Sequence, residues 1–158
     1  MRYLAIDLGD KRTGVAVGDD ETHIVTPRPV IEVPIAENGG DALLAAVVRA
    51  IDAEFSPYAK ATIVIGLPLN MDDSEGPQAK KARAFGDRIA AATKRPVAYQ
   101  DERLTSVEAD WTMAQSGLTH QQKKQRRDSL AAAAILRDFL ERARSSDAGT
   151  EAGPSSGW

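Results

Sequence analysis

The sequence predicts an α/β fold in which one mixed five-stranded sheet carries helices on both faces. Two short apolar segments near the N-terminus are separated by a turn, which is the pattern of a β-hairpin. Further along, apolar segments of strand length alternate with helical segments, and such connections require parallel strands. The chain has 158 residues, which is enough for one domain with a hydrophobic core.

The strands are predicted from short runs rich in apolar and β-branched residues. The third run contains Pro27 and Pro29 at or near its start, and because proline lacks an amide donor, its pairing should be short or lie at a sheet edge. The fourth run, ATIVIG, is continuously apolar, as expected of a strand that is covered on both faces. In chain order the strands are expected at residues 3–8, 13–18, about 29–33, 61–66 and 96–100.

The helices are predicted from apolar residues at helical spacing and from their start signals. Asp41 is typical of an N-cap, and Pro77 suits a first helical position. Thr105 and Glu108 form a capping box, and the last helix is expected to begin near Asp128. The helices are expected at about 41–55, from 77 past 89, at 105–117 and at 128–144.

The chain is expected to divide into one domain, residues 1–144, and a disordered C-terminal tail, residues 145–158. The tail sequence SSDAGTEAGPSSGW has almost nothing to bury. Cysteine is absent, which excludes disulfides and thiolate metal sites and favours a cytoplasmic location. Asp7 interrupts the first apolar stretch too early for a signal peptide, and no apolar run is long enough to span a membrane.

The charge distribution gives opposing indications about a nucleic-acid partner. The net charge of -3 counts against one, because binding to phosphates depends on cationic side chains. Basic residues nevertheless cluster locally, and a nuclease needs only a basic strip beside an acidic metal site. An ordinary solvated surface explains such clusters at least as well. The clusters are Lys11 with Arg12, Lys80 and Lys81 with Arg83, and, most densely, Lys123, Lys124, Arg126 and Arg127.

Four acidic residues are candidates for a metal site. Asp7 lies inside an apolar strand, where an ionised side chain is costly unless it is paired or bound to a cation. Asp101 and Glu102 follow the end of another strand, and Asp128 opens a helix. If these segments converge, they offer the oxygen ligands that Mg²⁺ or Mn²⁺ prefers, and two such ions could support phosphodiester hydrolysis. Alternatives remain open: Asp7 could pair with Lys11, Arg12 or a distant arginine. Asp128 could be an ordinary N-cap, and Glu102 and Arg103 could be surface charges at a strand end.

Four segments, taken together and in order, resemble the signature segments of the YqgF/RuvX family of nucleases. The resemblance extends from Met1 to about Arg144. It implies an RNase H-like fold similar to that of the RuvC resolvases, and a metal-dependent nuclease activity. The segments are AIDLGDKRTGVAVGD (5–19), VIGLPLNMDDSEG (64–76), DERLTS (101–106) and RRDSLAAAAIL (126–136).

The resemblance also implies roles for individual residues. Asp7 and Asp128 are implied to be catalytic, metal-binding carboxylates, joined by Asp101 or Glu102. Adjacent side chains in an extended strand point to opposite faces, so only one of the two acids should reach the metal, and Glu102 is preferred. The implied cofactor is Mg²⁺ or Mn²⁺. The residues expected to line the substrate groove are Lys11, Arg12, Asn70 in the turn at 67–70, Arg103, Lys123, Lys124, Arg126 and Arg127.

Two substrates follow from the resemblance. The first is the 5′ end of precursor 16S ribosomal RNA, and the second is a Holliday junction, whose symmetric cleavage requires a homodimer and not a monomer. Aromatic residues make up 5% of the chain and no base-reading motif is present, so the sequence does not choose between RNA and DNA.

Two rival classes of protein are considered. One is a sugar kinase or actin-like ATPase, which needs a longer, two-domain chain. The other is a non-catalytic RNA-binding module.

Overall fold

A computed structural model describes residues 1–102 and 117–151, with side chains to residue 146, and its strands form one mixed sheet. The strands are β1 (Arg2–Leu8), β2 (Thr13–Asp19), β3 (Val25–Ile31), β4 (Ala61–Leu67) and β5 (Val97–Asp101). Their order is β3-β2-β1-β4-β5, so β1 is central. It pairs antiparallel with β2 and parallel with β4, while β2 with β3 is antiparallel and β4 with β5 is parallel. The predicted mixed five-stranded sheet is therefore confirmed.

The helices of the described residues cover both faces of this sheet. They are a 3₁₀ helix (Glu37–Gly40), α1 (Asp41–Glu54), α2 (Pro77–Thr93) and α3 (His120–Glu151). The apolar faces of α1 and α2 pack on one side of the sheet, and the alanine-rich middle of α3 packs on the other. Within the described ranges, no helix has the length and apolar character needed to cross a membrane.

Alternation along β1 decides which face each side chain reaches. Leu4 and Ile6 are fully buried among the α1 and α2 side chains, whereas Ala5 is buried against α3. Since neighbouring residues of a strand point to opposite faces, Asp7 lies on the α3 face. The central strand thus carries an acidic residue towards the long C-terminal helix.

The edge strand β3 begins four residues earlier than the predicted start at residue 29 and contains both prolines. Pro27 pairs with Ala16 of β2, and the register shifts between Thr13 and Val15. Proline is tolerated because β3 has a neighbour on one side only. The expectation that this strand would lie at an edge is confirmed.

The prediction that Asp41 caps α1 is wrong by one residue. The N-cap is Gly40, whose φ of 93° is a left-handed conformation that glycine adopts without strain. Asp41 is the first helical residue, and its carboxylate forms an ion pair with Arg88 of α2. Its charge near the helix N-terminus remains favourable.

Helix α3 begins at His120, eight residues before the predicted start near Asp128. Thr119 and Gln122 form a reciprocal capping box: the Gln122 amide donates to Thr119 Oγ1 at 3.2 Å, and the Thr119 amide donates to Gln122 Oε1 at 3.0 Å. This sequence signal was available and was missed. Asp128 therefore lies in the third turn of α3 and is not an N-cap.

The same helix runs to Glu151, seven residues past its predicted end at 144. The segment contains no proline before Pro154 and the helix passes through Gly149, which is unfavourable in a helix but does not block it as proline does. Residues 152–158 lie outside the described residues, and the division into domain and disordered tail stays a prediction. The predicted helix at 105–117, but for Gly117, and the substrate candidate Arg103 also lie outside the described ranges.

Gly14 allows α3 to approach the sheet. A Cβ at this position would collide with the backbone carbonyl oxygen of Asp128 and would lie 3.4 Å from Cβ of Ala132. Because backbone cannot yield as a flexible side chain does, a larger residue must move the helix away from β2. Gly14 thus fixes how closely Asp128 comes to the central strands.

We predict that Gly14→Ala lowers the free energy of unfolding by about 1–3 kcal/mol, the usual cost of overpacking a close contact. Urea unfolding followed by circular dichroism measures the change. Gly76→Ala is the matched control, since a Cβ there meets nothing nearer than the Asn70 side chain at 3.5 Å. Gly76 is the N-cap of α2, where alanine is less favourable than glycine, so this control should cost about 0.5 kcal/mol and less than Gly14→Ala does. Equal stability of the two variants would contradict the proposed close contact.

Candidate active site

The candidate active site is built around Asp7, which lies half-buried near the C-terminal end of the central strand. On β2, the residue paired with Asp7 is Gly14. On the other side Ile6 pairs with Ile65, so Gly66 follows beside Asp7 on β4. Glycines on both sides leave open space above the sheet at this point, and other side chains enter that space.

Glu102 occupies the space above Gly66. A Cβ on Gly66 would collide with the Glu102 carboxylate and with Cδ1 of Ile135. The Glu102 carboxyl group forms a hydrogen bond with Asp7. Gly66 therefore makes room for the contact between two acidic side chains that are 95 residues apart in the sequence.

The proximity of these two acids changes their ionisation. Burial, followed by the negative charge of Asp7, raises the pKa of Glu102 to about 9. Burial also raises the pKa of Asp7; the hydrogen bond to Glu102 opposes that rise and the charge of Asp128 adds to it. Two carboxylates in contact cannot both ionise cheaply, so without a cation the pair shares a proton.

Asp101 and Glu102 occupy different positions at the end of β5. Glu102 contacts Asp7, whereas Asp101 acts on Glu102 through its negative charge. Asp101 pairs in register with Leu67 of β4. The extended backbone of β5 ends at Asp101 and Glu102 begins a 3₁₀ turn, so the two adjacent acids differ in backbone conformation. The preference for Glu102 as metal ligand agrees with this geometry and stays a prediction.

Asp128 approaches the pair from α3 and is held by Arg12. Its carboxylate Oδ2 accepts a hydrogen bond from Arg12 Nε at 2.7 Å, with the two side chains 27% and 29% exposed. The Asp128 charge is close enough to raise the pKa of Asp7. Arg12 thus pairs with Asp128, and not with Asp7 as one sequence alternative supposed.

The donor chemistry of the site suits a hard divalent cation. Asp7 and Glu102 provide buried carboxylate oxygens whose mutual repulsion a cation relieves. Among residues 1–102 and 117–146, however, no three acidic or histidine side chains form a ready metal-binding cluster. The third carboxylate, Asp128, is directed to Arg12. Asp7 and Glu102 therefore fit a cation as a pair, and Arg12 occupies one of the two oxygens with which Asp128 could join them.

The predicted groove residues lie in several places. Lys11 is exposed in the hairpin turn, and Asn70 donates its side-chain amide to Ser74 Oγ at 3.0 Å within the 67–76 loop. Lys124 lines a cleft with Arg12, whereas Arg126 lines another cleft beside β3. The two clefts adjoin, since Glu32 and Gln125 line both. Of the basic cluster, Lys123, Lys124, Arg126 and Arg127, Lys124 is therefore the member placed beside Arg12 and Arg126 lies in the adjoining cleft.

A mixed five-stranded sheet with a long C-terminal helix on one face is the architecture of the RNase H-like fold. The structure of "T. thermophilus RuvC in complex with Holliday junction substrate" is similar to this chain, with a TM-score of 0.54 and 16% sequence identity. The alignment covers 92% of this chain and 98% of that one. At this identity the likeness concerns the fold, and it agrees with the expected RNase H-like class.

The family follows from sequence. The family "RuvX: Holliday junction resolvase" matches residues 1–142, and this chain belongs to it. A protein of Anaeromyxobacter dehalogenans named "Putative pre-16S rRNA nuclease" is 41% identical over 143 residues, covering 90% of this chain and 98% of that protein. A relative of the same name from Anaeromyxobacter sp. is 39% identical over 141 residues, covering 89% and 97%. The resemblance to the YqgF/RuvX nucleases is confirmed, and the kinase alternative falls away.

We predict that, in EDTA, the protein loses stability as pH rises. The ordinary pKa of a glutamate is 4.5, and that of Glu102 is raised to about 9 in the folded protein. Between those pH values the unfolded chain ionises Glu102 while the folded chain retains the proton. The stability present below pH 4.5 therefore decreases towards pH 9, by at most about 1.4 kcal/mol per pH unit for one proton.

Urea unfolding from pH 5 to 9 measures this slope. Glu102→Gln should flatten it, because glutamine does not titrate. Glu37→Gln, at an exposed position of the 3₁₀ helix, is the control and should retain the wild-type slope. A Glu102→Gln variant with an unchanged slope would sink the assignment of the raised pKa.

Proposed function

We propose that this chain is a divalent-metal-dependent endonuclease that processes the 5′ end of precursor 16S ribosomal RNA. The observation that carries the chemistry is the contact between the half-buried acids Asp7 and Glu102. Asp128, the third acid, is held by a charge-assisted hydrogen bond from Arg12. The precursor 16S ribosomal RNA substrate is supported by the name of two relatives, which are 39% and 41% identical to this chain over nearly its whole length.

Asp7, Glu102 and Asp128 are the residues that would hold Mg²⁺ or Mn²⁺. A bound divalent ion supplies Lewis-acid activation of a phosphate oxygen and an ionised water. The chain itself supplies the placement: β1 fixes Asp7, Gly66 leaves room for Glu102, and Gly14 lets Asp128 approach. Asp101 adds negative charge next to Glu102, which favours cation binding further.

Phosphate binding is proposed for the basic residues around the N-terminal half of α3 and the hairpin turn. Lys124 and Arg12 share one cleft, and Arg126 lies in the neighbouring one. Such local clusters attract a polyanion although the net charge of the whole chain is -3. The proposed groove residues are Lys11, Arg12, Asn70, Arg103, Lys123, Lys124, Arg126 and Arg127.

A second candidate substrate is branched DNA. It is favoured by the description of the family as a Holliday junction resolvase and by the fold shared with RuvC. A symmetric cut of a four-way junction needs two copies of the active site, hence a homodimer, while RNA end processing needs only a monomer. A ribosomal RNA substrate also agrees with the cytoplasmic location expected from the absence of cysteine.

We predict that Asp7→Asn and Asp128→Asn each reduce cleavage at least about 100-fold, because each removes a carboxylate where transition-state charge is compensated. The substrates are immature small subunits, naked precursor 16S RNA and a synthetic four-way DNA junction, each with Mg²⁺, Mn²⁺ or EDTA. Asp52→Asn, an identical change at an exposed position of α1, should retain activity within about twofold.

The outcomes separate the candidates. Metal-dependent cutting of the RNA that both site variants lose supports the proposal, and cutting of the junction alone supports the DNA alternative. If wild type and variants bind RNA equally and cut nothing, the protein is a non-catalytic RNA-binding module and the proposed nuclease is wrong.

We predict that Lys124→Gln weakens binding of single-stranded RNA and lowers the salt dependence of log Kobs by about 0.7, the contribution of one phosphate contact. Fluorescence anisotropy across a potassium chloride series, in EDTA, measures both. Lys60→Gln is the control, since Lys60 is exposed just before β4, at the end of the sheet remote from Asp7. Equal salt slopes for the two variants would remove Lys124 from the proposed groove.

A further inference from the structure

We propose that Arg12 is a positioning residue that keeps Asp128 apart from Asp7 and Glu102 until a divalent cation displaces its guanidinium. The proposal rests on the nuclease function given above and deepens it, because it assigns to one ion pair the control of metal loading. Nothing in the family name or in the relatives' names refers to this ion pair.

The contact between Arg12 and Asp128 is specific. Arg12 Nε donates to Asp128 Oδ2 at 2.7 Å, which is the short distance of a charge-assisted hydrogen bond. Both side chains are more than two thirds buried, so solvent screens the pair less than it screens an exposed one. The residues are 116 positions apart, and only the tertiary fold brings them together.

The backbone fixes both partners. A Cβ on Gly9 would collide with the carbonyl oxygen of Arg12, so the hairpin turn is tight and Arg12 directly precedes β2. On the other side, the close approach at Gly14 fixes the backbone of Asp128. Neither main chain can move far, and exchange of partners must therefore occur through rotation of the two side chains.

The electrostatics of the acidic group favour such an exchange. The charge of Asp128 already acts on Asp7, so the three acids Asp7, Glu102 and Asp128 belong to one electrostatic cluster. In the described part of the chain these acids do not form a ready metal-binding cluster, and Oδ2 of Asp128 is engaged by Arg12. A divalent cation attracts a carboxylate about twice as strongly as a guanidinium does at equal distance, since Coulomb energy scales with charge.

Removing Arg12 should therefore strengthen metal binding. Without Arg12, the cation does not compete with a guanidinium for Asp128. It is also no longer repelled by the positive charge of that guanidinium beside the site. If Arg12 instead prepared Asp128 as a ligand, its removal would weaken metal binding. The sign of the change thus distinguishes competition from preorganisation. Once displaced, the guanidinium lies beside the site, where it can donate to a substrate phosphate.

Isothermal titration of the full chain with Mn²⁺ and with Mg²⁺ tests the sign, without a need for catalysis. We expect Arg12→Gln to raise the association constant roughly tenfold, which corresponds to about 1.4 kcal/mol. Arg12→Lys, which retains the charge, should lie between wild type and Arg12→Gln. Lys60→Gln removes the same charge from an exposed residue at the end of the sheet remote from Asp7 and should change the constant less than about twofold. Thermal melting confirms that each variant is folded.

Two further measurements isolate the ion pair. In an Asp128→Asn background, Arg12→Gln should raise metal affinity much less than it does in wild type, because the competing contact is already lost and only the like charge is removed. In wild type, the ¹⁵N resonance of Arg12 Nε, assigned by its loss in Arg12→Lys, should shift on addition of Mg²⁺ as the hydrogen bond to Asp128 breaks. An unchanged or weaker metal affinity in Arg12→Gln, or an Arg12 resonance that does not respond, would overturn the proposal.

The two proposals fail separately. If the wild-type chain binds no divalent cation, or if Asp7→Asn binds it as well as wild type does, the metal-dependent site under "Proposed function" is wrong. If the wild-type chain binds metal through Asp7 and Arg12→Gln does not bind it more tightly, only the role given to Arg12 is wrong.

Discussion

Repulsion between carboxylates is the constraint around which the described part of this structure is arranged. Asp7 lies on the central strand, Glu102 contacts it, and the charge of Asp128 reaches it from α3. Bringing acids together in a half-buried place is unfavourable, and the raised pKa values of Asp7 and Glu102 express that cost. A fold that keeps such an arrangement is suited to a divalent cation.

Glycines on the neighbouring strands leave the space that the acidic side chains occupy. Gly14 and Gly66 flank Asp7 on the neighbouring strands, and each lies under a group that a Cβ would strike. The alanine-rich stretch of α3 extends the same principle, since small side chains let the helix lie close to the sheet. The close packing of α3 and the convergence of the acids are therefore one feature of the fold.

The positive charges around the site lie in two different environments. Arg12 neutralises Asp128 at 2.7 Å and belongs to the site itself, whereas Lys124 and Arg126 lie in clefts along α3. This separation explains how a chain with a net charge of -3 can belong to a nuclease family. A nucleic acid responds to the local potential of a groove, and net charge averages over surfaces that it never contacts.

The sequence by itself determined the sheet, its mixed strand pairing, the edge position of β3 and, through four ordered motifs, the family. These properties depend on local patterns. The apolar periodicity, the positions of prolines and short sequence motifs can all be read along the chain. The start of α3 was also readable, in the capping box at Thr119 and Gln122, and it was missed because Asp128 is itself a typical cap residue.

Only the tertiary structure decided which groups meet. It chose Glu102 over Asp101 as the acid in contact with Asp7, and it paired Arg12 with Asp128 across 116 residues. It also explained Gly14 and Gly66, which in the sequence are ordinary glycines within strands. Contacts of this kind depend on the approach of a helix to a sheet and on the face to which each side chain points, and neither quantity is encoded in any short stretch of residues.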